Sequence, residues 1–218
     1  MPDAAGLAES LGAAIRASVQ TSPLLAYGLI ALAMLLENVF PPIPSELIMP
    51  LAGYLVQQGQ LQLVPVLLAG LAGTLSGAWL WYAVGRLVNE QRLEALLRRH
   101  GPWLGIGPED LARSRRWFAR HGVLVVFWGR LLPGIRPFVS LPAGIELMPQ
   151  LPFLLWSGAG SLVWLLALTL AGFGLGAGYS GVLAFTAPLA RGLEVALVLA
   201  LVLLPLLLLV LHRRRGGR

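Results

Sequence analysis

The sequence predicts an all-α membrane protein with several spans, on three observations. Hydrophobic residues make up 57% of the 218 positions, and the mean hydropathy is +0.76. Charged residues make up only 12%, about half of the roughly 25% found in soluble domains. The apolar runs are long and unbroken, whereas the strands of outer-membrane barrels alternate in polarity over about 10 residues. A solvated globule and a disordered chain are therefore excluded, and a polytopic helical membrane protein remains.

The charge distribution predicts membrane topology and no nucleic-acid partner. The net charge is +6, and all 16 basic residues are Arg. Most of them stand beside apolar segments, where they orient spans and contact anionic headgroups. The chain has no Cys, which excludes a disulfide framework and a thiolate metal site. Since no His and acid cluster has metal-ligand spacing either, we expect no metal and no cofactor.

The first third of the chain predicts a re-entrant hairpin over residues 24–56, preceded by an interfacial N-terminal segment, 1–22. The apolar run of residues 24–36 is too short to cross a hydrocarbon core of about 30 Å. Three Pro at positions 41, 42 and 44 then break the helix, and apolar sequence resumes over 47–56. Such a break is tolerated at membrane depth only where protein or a wet cavity covers it. Residues 61–88, closed by Arg86, are long enough for a full span.

The second part of the chain predicts the same order of elements. Residues 89–122 hold seven Arg and predict a cytoplasmic loop with an amphipathic helix that starts at Pro108. This helix lies on the membrane surface or belongs to an ordinary loop. Residues 123–146 form a second broken segment, and a second span is expected over 150–178. A last span and a basic tail are expected over 188–218.

The two parts also resemble each other weakly in sequence. At an offset of 91, Pro42 falls on Pro133 and Gly53 on Gly144; at an offset of 87, Gly73 falls on Gly160. We therefore expect repeat 1 over 23–88 and repeat 2 over 123–180. If the Arg-rich loop and the basic tail are both cytoplasmic, one hairpin and two full spans separate them. The two units would then be inverted in the membrane, as in many secondary transporters.

Four charges lie inside the broken segments: Glu37, Glu46, Arg130 and Arg136. Each unpaired charge at the bilayer centre costs at least about 2.5–3.5 kcal/mol, so we expect the hairpin tips to meet and the charges to pair. The planar guanidinium of Arg suits phosphate oxygens. Gly134, after Pro133, leaves the backbone open for an anion nest. A buried carboxylate can carry a proton.

These properties assign provisional roles to eight residues. Arg130, Arg136 and Gly134 would bind a lipid phosphate, Glu37 and Glu46 would couple protons, and Asn38, Ser45 and Glu146 would support them. The alternative is a buried polar clamp without a transport role. Glu46 with Ser45 could instead cap the next helix, and Glu146 could be a charge at the hairpin end. No nucleophile and base stand together, so we predict no catalytic residues and no enzyme.

Two motifs resemble those of the DedA family, the bacterial branch of the SNARE-associated Golgi protein or VTT-domain superfamily. They are Glu37-Asn38-Val39-Phe40-Pro41-Pro42-Ile43-Pro44-Ser45-Glu46 and Phe127-Trp128-Gly129-Arg130-Leu131-Leu132-Pro133-Gly134-Ile135-Arg136-Pro137-Phe138. The resemblance implies a multi-pass protein of the bacterial inner membrane with two re-entrant hairpins and a dependence on proton motive force. It implies an essential acidic pair at Glu37 and Glu46 and an Arg pair at Arg130 and Arg136. Some members carry Asp after Gly where this chain has Glu46 after Ser45.

The expected function is that of a flippase that moves undecaprenyl phosphate or a phospholipid across the cytoplasmic membrane, coupled to protons. Its partners would be membrane lipids, the lipid phosphate and protons. An uncoupled phospholipid scramblase and a small-ion or drug antiporter are the alternatives. The transported lipid, its direction, the side of the N-terminus and the oligomeric state stay open, while the C-terminus is expected in the cytoplasm.

Overall fold

The computed structural model describes residues 4–39, 45–87, 108–133, 135–178 and 181. This part of the chain forms α-helices and no strand, which confirms the all-helical fold class. The helices are α1 (Ala4–Thr21), α2 (Pro23–Val39), α3 (Ser45–Gln57), α4 (Leu63–Leu87), α5 (Pro108–Leu131), α6 (Ser140–Ile145) and α7 (Gln150–Leu175). The predicted last span and basic tail, 188–218, and the Arg-rich loop over 89–107 lie outside the described residues.

Helices α4 and α7 are long and apolar enough to cross a membrane. Helix α4 has 25 residues, and α7 with the 3₁₀ turn Gly176–Gly178 has 29. At about 1.5 Å per residue, each exceeds the hydrocarbon thickness of about 30 Å. Large apolar side chains cover the outer faces, such as Val64, Leu68 and Leu155, each more than 60% exposed. Lipid contact would bury these side chains, whereas water would not.

Proline residues stand at or near the ends of α2 and α5. Helix α2 begins at Pro23, a residue favoured at the first helical position, and ends at Val39, two residues before Pro41. Helix α5 runs without a break from Pro108 to Leu131 and crosses the boundary at residue 122 that the sequence suggested. Gly122 alone does not end a helix, and the next Pro is Pro133. The Arg-rich helix and the apolar stretch that begins at residue 123 are therefore one helix.

The helices pair in a reciprocal pattern. Helix α2 packs along α4, and α5 packs along α7. The helix before each broken segment's interruption, here called the first arm, therefore lies on the long helix of its own half. The helices after the interruptions, α3 and α6, are the second arms. Each packs on the long helix of the other half, α3 on α7 and α6 on α4. Helices α4 and α7 also contact each other, and α1 packs on α2 and α3 with Ile15 buried.

Six glycines bring these helices into backbone contact. A Cβ at any of them would collide with a carbonyl oxygen of the neighbouring helix. The colliding pairs are Gly73 with Ala31, Gly160 with Phe127, Gly85 with Leu141, Gly172 with Pro50, Gly53 with Thr169 and Gly144 with Tyr82. The glycines form three sets, 73 with 160, 85 with 172 and 53 with 144, whose members stand 87 or 91 positions apart. These are the offsets that relate the two halves of the sequence.

Substitution of the contact glycines by Ala is expected to destabilise the helix pairs. Gly73→Ala and Gly160→Ala should each lower the free energy of unfolding by about 1–3 kcal/mol, because backbone must shift to admit the methyl group. Gly28→Ala is the matched control in α2, where a Cβ would meet nothing within 4 Å. It should leave stability unchanged or raise it by up to about 1 kcal/mol. Thermal unfolding in detergent micelles measures these effects, and a Gly160→Ala protein as stable as wild type would contradict the packing described.

Candidate functional site

Arg136 joins the two halves through a buried pair of carboxylates. It lies in the turn between α5 and α6, and its Nη2 donates to Oε1 of Glu37, at the end of α2. The same nitrogen is 3.6 Å from Oε1 of Glu46, in the first turn of α3. All three side chains are at most 8% exposed. One guanidinium therefore holds both acids of the first broken segment.

Arg130 lies beside this cluster but binds neutral groups. It is fully buried in the last turn of α5. Its Nη1 donates to Oδ1 of Asn38 at 3.1 Å, and its Nη2 donates to Oγ of Ser140 at 2.5 Å. Among the described residues, no carboxylate forms an ion pair with Arg130, and its Nε–H has no hydrogen-bond partner.

Several contacts fix Asn38 in the orientation that Arg130 needs. The Nδ2 of Asn38 donates to the carbonyl of Met34 at 3.3 Å, which turns Oδ1 toward Arg130. Trp81 on α4 donates from Nε1 to the carbonyl of Asn38 at 2.8 Å. Gly77, also on α4, leaves the space for the Asn38 side chain, since a Cβ there would come within 2.5 Å of it. Helix α4 thus positions the end of α2.

Helix α7 closes the site from the other side. The ring of Trp164 lies beneath Arg136, with Cζ 5.2 Å from the ring centroid, in the range of a cation–π contact. One turn earlier, Gly160 faces α5, where a Cβ would lie 2.9 Å from Cβ of Arg130. Both Arg side chains are therefore packed against the same face of α7.

The structure brings together five of the eight residues that the sequence singled out: Glu37, Asn38, Glu46, Arg130 and Arg136. Glu146 follows α6 at the end opposite Ser140, and its role stays a prediction. Gly134 and the side chain of Ser45 lie outside the described part of the structure. The pairing differs from the expectation of two Arg–acid pairs, because Arg136 holds both acids and Arg130 binds an amide and a hydroxyl.

Sequence reasoning missed Ser140 and Trp164. Ser140 is the hydroxyl that the turn after Arg136 delivers to Arg130. Its signal was a lone polar side chain within an apolar stretch. Trp164 was not singled out, and nothing in its local sequence indicates the guanidinium of Arg136 above it.

The fold and the buried site define a helical membrane protein with a charged interior, and comparison with known proteins gives the family. The model of the VTT domain matches residues 43–174. The chain therefore belongs to the VTT-domain (DedA) family, and the resemblance inferred from its motifs is confirmed. No solved structure matches the chain significantly.

Curated relatives carry names of two kinds. A protein of Lactococcus lactis named alkaline phosphatase-like protein is 36% identical over 67% of this chain and 69% of its own length. Undecaprenyl phosphate transporter A of Staphylococcus aureus is 34% identical over 67% of this chain and 72% of its own. The Bacillus subtilis protein of the same name is 29% identical over 72% and 75%.

Loss of Arg136 should leave the buried carboxylates of Glu37 and Glu46 without their shared cation. We expect Arg136→Gln to lower the free energy of unfolding by about 3–5 kcal/mol, the usual effect of breaking a buried pair. Glu37→Gln should cost much less in that background than in the wild type, since it then removes an uncompensated charge. A double-mutant cycle by chemical unfolding in micelles measures this coupling.

Arg120→Gln is the matched control, because Arg120 is exposed on α5 and its loss should cost less than about 1 kcal/mol. Strict additivity of Arg136→Gln and Glu37→Gln would contradict the ion pair.

Proposed function

We propose that this protein is a transporter that moves a lipid phosphate across the cytoplasmic membrane of a bacterium, with proton coupling. The observation that carries the proposal is the state of Arg130. It is a fully buried cation whose hydrogen bonds go to Asn38 and Ser140, both neutral. An anionic ligand would supply the direct ion pair that Asn38 and Ser140 do not.

Phosphate fits this position better than a soluble carboxylate or a cation does. The fork of Arg donates to two oxygens of a phosphate at once, and the anion would be neutralised in a medium where charge is costly. A cation would be repelled by Arg130. The name of the two relatives called undecaprenyl phosphate transporter A supports the same chemistry.

The acids supply the coupling in this proposal. Glu37 and Glu46 share Arg136, so protonation of either one weakens the cluster that joins α2 and α3 to the turn after α5. Arg136 would then become available to the phosphate beside Arg130. Because Arg130 is fully buried in this conformation, the ligand enters only when these helix ends separate.

We also propose that the chain consists of two inverted units with re-entrant hairpins. The exchange of second arms between α4 and α7 supports this arrangement, because a two-fold relation between similar units produces such an exchange. The three pairs of equivalent glycine contacts support it independently. Inverted units place a substrate site at the membrane midplane, between broken segments. The Arg-rich loop and tail would set the orientation of the spans, with the C-terminus in the cytoplasm.

A phosphatase is less well supported by the site. The hydroxyl of Ser140 accepts from Arg130, and the ring of His121 is stacked on Trp117 at 5.1 Å, exposed on α5. Among the described residues, no carboxylate or imidazole hydrogen-bonds to the Ser140 hydroxyl to activate it. The site presents an anion-binding group and two acids, which suits binding and release better than bond cleavage.

Substitution of Arg130 tests the proposal directly. Arg130→Lys keeps the charge but cannot reach Asn38, Ser140 and a phosphate with one fork. We expect translocation of polyprenyl phosphate in proteoliposomes to fall at least about tenfold. Arg120→Gln, with an exposed side chain, should translocate like wild type. Equal rates for Arg130→Lys and wild type, at matched reconstitution, would overturn the assignment of Arg130.

The same proteoliposomes separate the alternative functions. A coupled transporter moves lipid faster under a pH gradient, and Glu37→Gln should lose that response. Equal flipping of several phospholipids without a gradient would instead indicate a scramblase. Exchange of soluble cations without lipid movement would indicate an antiporter.

A further inference from the structure

Helix α7 turns one polar face toward the two buried Arg residues. Ser157, Gly160, Ser161 and Trp164 follow the spacing i, i+3, i+4, i+7, which places them on one side of a helix. Gly160 packs against Arg130, and Trp164 lies under Arg136. The two serines therefore stand on the face that closes the site.

This face carries buried donors that no described residue satisfies. The side-chain oxygens of Ser157 and Ser161 and the Nε1 of Trp164 have no hydrogen-bond partner among the described residues, and neither does Nε of Arg130. Ser157 is fully buried and Ser161 is 2% exposed. A buried polar group without a partner costs roughly 1–3 kcal/mol, so these four groups, three on α7 and one on Arg130, require an explanation.

The usual explanation for a helical hydroxyl does not apply to these serines. Thr169, on the same helix, donates to the carbonyl of Leu165 at 2.7 Å. Ser76, on α4, donates to the carbonyl of Ala72 at 2.8 Å. The hydroxyls of Ser157 and Ser161 make no such bond to their own helix, so they are free to serve another group.

The chemistry of the four groups indicates what that group is. An indole N–H and a guanidinium N–H can only donate, and a hydroxyl can donate as well. The missing partner is therefore an acceptor with several oxygens, and the neighbouring Arg130 gives preference to a negative one. A phosphate monoester has three terminal oxygens and meets both requirements.

We propose that Ser157, Ser161 and Trp164, with Nε of Arg130, form the second half of the phosphate site. This inference rests on the proposed function and extends it, because it assigns headgroup recognition to a full-length helix rather than to the broken segments alone. Helix α7 supplies hydrogen-bond donors, and α5 supplies the charge.

The test compares binding of three probes to the purified full-length chain in nanodiscs: a short-chain polyprenyl phosphate, the corresponding neutral polyprenol and inorganic phosphate. The variants are Ser157→Ala/Ser161→Ala and Trp164→Phe, which keeps the ring under Arg136 but removes the N–H. The matched control is Thr169→Ala, whose hydroxyl is bonded within its own helix.

We expect the double Ser variant to bind polyprenyl phosphate at least about tenfold more weakly and Trp164→Phe several-fold more weakly, since a hydrogen bond to a charged group is worth roughly tenfold or more. Affinity for the neutral polyprenol should not change, and Thr169→Ala should bind like wild type. The ligand-free double variant should melt at the same temperature or higher, because it loses two unbonded buried hydroxyls.

Wild-type affinity for polyprenyl phosphate in both the double Ser variant and Trp164→Phe would overturn the inference and leave the proposed function standing. A lower melting temperature of the ligand-free double variant would also overturn it, because the hydroxyls would then be structural. A wild-type protein that binds no polyprenyl phosphate would overturn the proposed function itself.

Binding of inorganic phosphate that weakens by the same factor in the double variant supports a site for the phosphate group alone. Binding of the lipid form only supports a site for the headgroup.

Discussion

The structure depends on one constraint, the burial of two guanidinium groups between apolar helices. Arg136 is compensated by two carboxylates, Glu37 and Glu46. They belong to α2 and α3, the helices on either side of the first helical interruption. The turn after α5 is thereby tied to the end of α2 and the start of α3. Arg130 meets the constraint differently, with an amide and a hydroxyl, and forms no ion pair with any described carboxylate. In the proposed function, this difference makes Arg130 the first contact of the phosphate, which Arg136 joins only when the acids release it.

The helix packing serves to bring these ends together. Glycines at six backbone contacts let α2 and α6 lie against α4, and α3 and α5 against α7. Close packing of this kind contributes to helix association in a bilayer, together with hydrogen bonds between helices, because no hydrophobic force acts between them there. The approach of α5 to α7 at Gly160 sets Arg130 against the helix that carries Ser157 and Ser161.

Composition and charge position predicted the helical class, the two long helices and the four charges of interest. The family motifs added the expectation that these charges act together. The pairing was beyond prediction, because a list of charges does not tell which guanidinium lies closer to which acid. The continuity of α5 through residue 122 was also missed, since a polarity change there resembled a helix boundary. Ser140, Trp164 and the two serines of α7 are single polar residues in apolar runs, and only the three-dimensional packing turns them toward the site.

The most direct measurement is an experimental structure of the full chain with a polyprenyl phosphate bound. The phosphate should lie beside Arg130, with its oxygens accepting from Nε of Arg130 and from the hydroxyls of Ser157 and Ser161. Helix α7 should keep Trp164 beneath Arg136. A phosphate bound on the surface near Arg116 and Arg120, with Arg130 still donating only to Asn38 and Ser140, would contradict the assignment of the buried cluster as the transport site.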